Sequence, residues 1–135
     1  MFVQFKTNSP IRRNTSVPLD QTQTDKVSIG FEADHEYNRN DRFTVIMYDL
    51  DAPNGPYLHY IKINLKYGPS GGKMNTGLIG GTVIVQYQYP KQPNHRYIYQ
   101  IYKQKDYIEA KEIPRENFDP GQFAREFNLR FLKAI

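Results

Sequence analysis

Short runs of β-branched and aromatic residues, each stopped by turn-forming residues, recur along this chain and constrain it to a sheet-rich fold. Val27-Ser28-Ile29-Gly30-Phe31 alternates as a half-buried strand does. Phe43-Thr44-Val45-Ile46-Met47-Tyr48 is nearly continuous, the pattern of a central strand buried on both faces, and it ends at Asp49. Tyr60 to Leu65 alternates again. Thr82 to Tyr87 and Arg96 to Tyr102 read as two more strands, the second with Tyr97, Tyr99 and Ile101 on one face. Ala52-Pro53-Asn54-Gly55-Pro56 and the stretch from Pro90 to Asn94 are dense in turn formers, and Gly68 to Gly72 reads as a flexible loop.

A helix is predicted near the C-terminus. Asp119 suits the N-cap, Pro120 the first helical position and Gln122 a capping box. Phe123, Phe127 and Phe131 recur every four residues and give that helix an apolar, core-facing stripe. The expected fold class is therefore mainly β, an antiparallel sheet domain with a C-terminal helix. At 135 residues the chain reads as one domain spanning 1–135, with residues 1–26 as an extended lead-in and Asp34 to Asp41 as a charged turn.

Composition removes whole classes of chemistry. The chain has no cysteine, which excludes disulfides, thiolate nucleophiles and cysteine-based zinc sites. No run approaches the roughly 20 apolar residues of a membrane span. The N-terminal Met1-Phe2-Val3-Gln4-Phe5-Lys6 lacks a basic-then-apolar signal segment, so the expected location is cytoplasmic. A net charge of +4 favours anionic partners, but the lysines and arginines are dispersed and form no basic arm. With no RNA-recognition signature either, nucleic acid is not an expected partner. Gly68-Pro69-Ser70-Gly71-Gly72-Lys73 fails as a phosphate loop, because Tyr67 stands where a glycine is needed and Met74 replaces the Ser/Thr. No Gly-x-Ser-x-Gly elbow is present. No metal and no cofactor are implied.

What remains is a set of polar residues at strand ends: Asp49 and Asp51 with Pro53, then His59, then His95 with Tyr97. Two of the chain's three histidines belong to it. Imidazole N–H groups and a tyrosine hydroxyl can donate to phosphate oxygens. A carboxylate beside an imidazole fixes its tautomer. A rim of proline and aromatic rings excludes water and strengthens those bonds. On the residues alone, the alternative stands that the aspartates only hold turns and the histidines are ordinary strand-end residues.

The order of these elements resembles the phosphatidylethanolamine-binding protein family, whose members include Raf kinase inhibitor protein and the plant flowering regulators. Asp49-Leu50-Asp51-Ala52-Pro53 is similar to the family's first signature. His59-Tyr60-Ile61-Lys62-Ile63-Asn64-Leu65 is similar to the second, and Gly81-Thr82 with His95-Arg96-Tyr97-Ile98-Tyr99 to the third. The resemblance runs over about residues 27–129 and includes Phe118 to Leu129. It implies a sheet domain with a small anion pocket at one edge. Asp49, His59 and Tyr97 would form its inner set, His95 would be the second histidine, and Tyr57 would stand at the mouth in place of a tryptophan. Pro90 or Pro93 would be the pocket proline, and Asp51 would hold the turn. The resemblance also implies a cis Ala52–Pro53 bond.

The implied function is non-enzymatic binding of a phosphate or phospholipid headgroup by a regulatory module that contacts proteins or lipids. The alternative is a scaffold with a vestigial pocket that acts through protein contacts. A hydrolase using Asp49 or His59 as general base, and a nucleic-acid binder, are weaker readings. The loop between Pro53 and His59 and the loop before His95 are shorter than in animal members, and Leu58 replaces a histidine. The chain stops at Ile135, soon after the predicted helix, where family members continue with another strand. An open sheet edge, and with it a homodimer, is the expectation drawn from that ending.

Overall fold

The computed structural model describes residues 2–5, 27–30, 40–69 and 76–134. The strands are β1 (Phe2–Phe5), β2 (Val27–Gly30), β3 (Arg42–Asp49), β4 (Tyr57–Pro69), β5 (Thr76–Ile79), β6 (Thr82–Val85), β7 (Tyr97–Gln104) and β8 (Leu129–Ala134). The helix α1 (Pro120–Glu126) lies between β7 and β8. The main sheet runs β5-β4-β3-β7-β8, with β6 also paired to β4, and β1 and β2 form a two-stranded sheet. Every pairing is antiparallel. Among the described residues the fold is mainly antiparallel sheet with a short helix, the class the sequence predicts.

β3 owes its central position to its uninterrupted apolar run. Every residue from Phe43 to Asp49 is buried. Ile46 and Tyr48 point to one face, where Leu58, Ile61, Ile63 and Tyr102 meet Ile108, Phe118 and Phe123. Phe43 and Val45 point to the other, with Leu65 and Ile101 and the partly buried Tyr60, Tyr67 and Leu132. Burying a large apolar side chain contributes about 1.5–3 kcal/mol, so a strand covered on both faces anchors the sheet.

A buried polar network pins the end of the sheet away from Asp49. Gln104 Oε1 accepts from the Thr44 hydroxyl at 2.7 Å and from the Asn64 backbone N–H at 2.8 Å. Gln104 Nε2 donates to Asn64 Oδ1 at 2.8 Å and to the Asp106 carbonyl at 3.0 Å. Asn64 then exchanges two further bonds with the backbone of Ile108.

Several local expectations change. β1 lies inside the proposed lead-in and pairs with β2, while residues 6–26 and most of the Asp34–Asp41 turn fall outside the described residues. β4 runs on through Gly68 to Pro69, because β5 pairs with Lys66 to Pro69; the rest of the predicted loop lies outside the described residues. The helix begins as its cap dictates, with Asp119 Oδ1 accepting from Gln122 N at 3.0 Å. It ends at Glu126, and Asn128 at φ 52° turns the chain directly into β8. Phe123 and Phe127 pack as predicted, with ring centroids 4.9 Å apart, but Phe131 belongs to β8 and is exposed. A strand does follow the helix: β8 pairs with β7 from Gln104↔Leu129 to Gln100↔Ala134.

No peptide bond among the described residues is cis, so Ala52–Pro53 is trans. The turn explains this. Gly55 N donates to the Ala52 carbonyl at 3.3 Å, which puts Pro53 second in a four-residue turn. There the fixed φ of a trans proline fits, whereas a cis proline occupies the third position. Among the described residues no helix is long and apolar enough to cross a membrane.

Candidate functional site

Strand register assembles the predicted residues. Asp49, the last residue of β3, pairs with Tyr57 of β4 on one side and with Tyr97 of β7 on the other. Paired residues in a sheet project to the same face, so these three form a row at one end of the sheet. The register of β4 then slips: Tyr48 pairs with Leu58 and Met47 with Tyr60. His59 is the extra residue of that bulge, and a bulge re-aims a side chain. Its ring lies edge-on between Tyr57 and Tyr97, with centroids at 5.2 and 5.4 Å. His95, just before β7, stacks on Tyr97 at 6.4 Å.

The Asp49 carboxylate is buried and doubly engaged. Oδ1 accepts from Asp51 N at 2.9 Å, and Oδ2 lies 2.7 Å from His95 Nδ1. An ionised carboxylate only accepts, so Nδ1 of His95 carries the hydrogen. His59 Nδ1 lies 2.6 Å from the Gln88 backbone carbonyl, which also only accepts. Burial pulls the His59 pKa below the ordinary histidine value; the Gln88 bond and the Asp49 charge oppose that shift, and the Arg115 charge adds to it. Burial, with Asp49 nearby, holds the Tyr97 hydroxyl above its usual pKa.

Asp51 bonds to Arg96. It ties the turn to the residue before β7: Oδ2 accepts from Arg96 N at 2.7 Å, and both oxygens accept from the Arg96 guanidinium. These bonds lower the Asp51 pKa to about 2. Pro53 sits exposed on the turn. Pro90 is buried and Pro93 exposed. Tyr57 donates to Gln88 Oε1 at 3.0 Å and Tyr97 to the Gln92 carbonyl at 3.0 Å.

Two residues that sequence reasoning missed complete the arrangement. Gln88 supplies the His59 and Tyr57 acceptors. Arg115 lies beside the start of β4: its Nη1 donates to the carbonyls of Leu58 at 3.1 Å and His59 at 3.3 Å, and its Nη2 to that of Gln86 at 2.7 Å. The Arg115 carbonyl in turn accepts from Leu58 N at 2.8 Å. Arg115 thus clasps the bulge to the 86–88 segment. Neither residue stands in a motif, and each is brought in by chain pairing at long range.

A cavity of about 490 Å³ lies at the opposite end of β7, lined by Lys105 to Lys111 and Glu126 to Asn128. It contains none of the predicted residues and no histidine. Among the described residues no serine or threonine hydroxyl pairs with His59 or His95, whose bonds go to Gln88 and Asp49. No three metal-ligating side chains converge among the described residues.

The chain matches the phosphatidylethanolamine-binding protein family over residues 4–133. It is 31% identical to Protein MOTHER of FT and TFL1 homolog 2 of Oryza sativa subsp. japonica, over 72% of this chain and 59% of that protein. It is 30% identical to the 26 kDa secreted antigen of Toxocara canis, over 70% of this chain and 40% of that one. Its identity to Protein BROTHER of FT and TFL 1 of Arabidopsis thaliana is 34%, over 64% and 51%. The chain therefore spans about half the length of the curated relatives it matches. The solved structure of carboxypeptidase Y inhibitor complexed with its cognate proteinase shares the fold, at a TM-score of 0.79 and 20% identity, over 98% of this chain and 78% of that one. The chain belongs to the phosphatidylethanolamine-binding protein family.

Proposed function

We propose that this family member is a non-enzymatic regulatory module that binds a small oxyanion, a phosphate or the phosphate of a lipid headgroup, where β3, β4 and β7 end together. The observation that carries this reading is the convergence of two histidine rings on Tyr97, with their Nδ1 atoms tied to Gln88 and Asp49. Each imidazole is oriented from behind through its Nδ1. Among the described residues neither histidine bonds a hydroxyl nucleophile, which supports binding over hydrolysis.

The magnitudes suit a weak small-molecule site. A charge-assisted hydrogen bond contributes about 1.5–3 kcal/mol, and ordering costs offset part of that. Two such bonds, about 3–6 kcal/mol before those costs, give a bare anion a dissociation constant of roughly tens of micromolar to several millimolar. Tighter binding requires surface beyond the pocket, from a lipid or a protein partner.

Calorimetric titration of O-phosphoethanolamine near pH 6 tests the reading. Saturable binding weakened about tenfold or more by His59→Ala supports it. Equal binding by that variant overturns it.

A second reading, contact with a protein partner without use of the pocket, draws on the exposed Arg96–Asp51 pair at its rim and on a structural neighbour solved with a proteinase. Under it, Asp49→Ala and His59→Ala leave partner binding unchanged.

A further inference from the structure

Of the chain's ten asparagines, Asn54 alone is followed by a glycine, Gly55. The pair sits in the turn that joins Asp49, the last residue of β3, to Tyr57, the first of β4. An asparagine side chain can be attacked by the backbone nitrogen of the next residue, and a side chain on that residue hinders the approach. Gly55 has none. Asn54 is exposed, and its amide bonds to none of the described residues. Gly55 N is held by the Ala52 carbonyl at 3.3 Å, a bond longer than the usual range.

The other described asparagines lack this combination. Asn64 is buried, with its Nδ2 donating to the Ile108 carbonyl. Asn40, Asn94, Asn117 and Asn128 are exposed, but each precedes a residue with a side chain.

We propose that Asn54 is a site of spontaneous deamidation, and that its conversion releases the turn between β3 and β4 from the segment that clasps it. Gly55 N attacks Asn54 Cγ. The N–Cγ bond forms, the Cγ–Nδ2 bond breaks, and ammonia leaves with the Gly55 proton. Water then opens the five-membered imide at either carbonyl. One product is aspartate. The other is isoaspartate, in which the main chain runs through Cγ and gains a methylene. Both carry a new negative charge.

The turn has little room for the longer backbone. Gly55 holds φ 100°, a conformation that favours glycine, and a Cβ built on it would lie 2.5 Å from Asn117 Oδ1. Beside this contact, backbone bonds tie the turn and the start of β4 to residues 115–118. Phe118 N donates to the Pro56 carbonyl at 2.8 Å, and Leu58 N to the Arg115 carbonyl at 2.8 Å. A methylene inserted before Gly55 drives it against Asn117 or carries Pro56 away from Phe118. The Phe118 ring is buried against Tyr48 and Phe123, so the ring stays and the amide loses its bond.

The test starts with the whole chain, kept folded in mildly alkaline buffer and mapped by peptide mass spectrometry over time. Asn54 should convert before any other asparagine, with isoaspartate exceeding aspartate, and Asn54→Gln should remove the signal. Conversion elsewhere while Asn54 stays intact, or conversion of Asn54 only after urea unfolding, overturns the proposal. The isoaspartate form is then separated and compared with the parent by hydrogen exchange. Its Phe118 N–H should exchange about tenfold faster, whereas Asn54→Asp, which adds the charge without the methylene, should keep the parent's rate. Equal rates in the parent and the isoaspartate form overturn the release of the turn.

The new charge also bears on the oxyanion site, a consequence that rests on that reading. It adds a carboxylate to the loop that follows Asp49. Inorganic phosphate should therefore bind Asn54→Asp about twofold more weakly than the parent at low salt, the scale of one exposed charge acting through water. Equal affinities overturn this consequence. Absence of phosphate binding by the parent overturns the oxyanion reading and leaves the deamidation site standing.

Discussion

His59 and Gln88 hold each other twice: Gln88 N donates to the His59 carbonyl at 3.0 Å, and His59 Nδ1 donates to the Gln88 carbonyl at 2.6 Å. The bulge residue is thus fixed at its backbone and at its ring by one partner 29 positions away. That pairing determines which ring nitrogen carries the hydrogen.

The His59 ring titrates below the usual value of about 6.5. A depressed folded-state value means that the unfolded chain takes up the proton first as pH falls. The stability tied to neutral His59 is therefore complete above about pH 6.5 and declines below it, toward the lowered folded value. A proton-NMR titration of the ring should give a midpoint under 6.5, and long-range nitrogen spectra at pH 8 should show the hydrogen on Nδ1. A midpoint at or above 6.5 would contradict the burial argument.

Arg115→Met should weaken the site without touching it. The guanidinium spans the carbonyls of Leu58, His59 and Gln86; methionine removes all three bonds, and the His59 carbonyl keeps another donor, Gln88 N. The expected loss is about 2 kcal/mol in urea unfolding, at about 1 kcal/mol or more for each stranded group that water does not reach. Removal of the cation also takes away one of the charges that depress His59, so its titration midpoint should rise. An unchanged midpoint and unchanged stability would show that the clasp contributes nothing.

Asp51→Asn should act only in acid. The Arg96 bonds hold the Asp51 carboxyl at about 2, against about 3.9 in an unfolded chain. Its contribution is present above about pH 4 and is lost as pH falls toward 2. Urea midpoints of the parent and the variant should differ by a constant amount above pH 4 and converge by pH 2. Both groups are solvent-exposed, so the difference should be small.

Gln104→Leu should be the costliest of these substitutions. It leaves the Thr44 hydroxyl, Asn64 N and Asn64 Oδ1 short of partners in a buried space. At about 1–3 kcal/mol for each stranded group, the loss should reach about 3 kcal/mol or more in urea unfolding. A loss below 1 kcal/mol would show that the network is replaceable. The variant should still bind anions, because Gln104 lies at the other end of β7 from Tyr97.

The strands were legible where local pattern decides structure. The apolar run ending at Asp49 marked the central strand, and Asp119-Pro120 marked the helix start. Asp49, His59, His95 and Tyr97 were legible as a group because each closes or opens a strand and because their order resembles a known family. The His59 bulge was not, since a register slip depends on both strands and leaves no local mark. Gln88 and Arg115 serve through their backbones and through bonds to carbonyls, which sequence pattern does not encode. Phe131 kept the helical spacing of Phe123 and Phe127, yet Asn128 in the left-handed region broke the helix before it. The cis Pro53 expectation failed because a four-residue turn closed by Gly55 puts that proline where trans fits.

The most direct test of the central claim is to follow both histidine rings by long-range proton–nitrogen NMR while inorganic phosphate is titrated in near pH 6.5. The Nε2 resonances of His59 and His95 should shift together along one saturation curve, with a single dissociation constant in the micromolar to millimolar range, and Asp49→Ala should abolish the His95 response. No shift at either Nε2 in millimolar phosphate, or independent curves for the two rings, would contradict a shared oxyanion site.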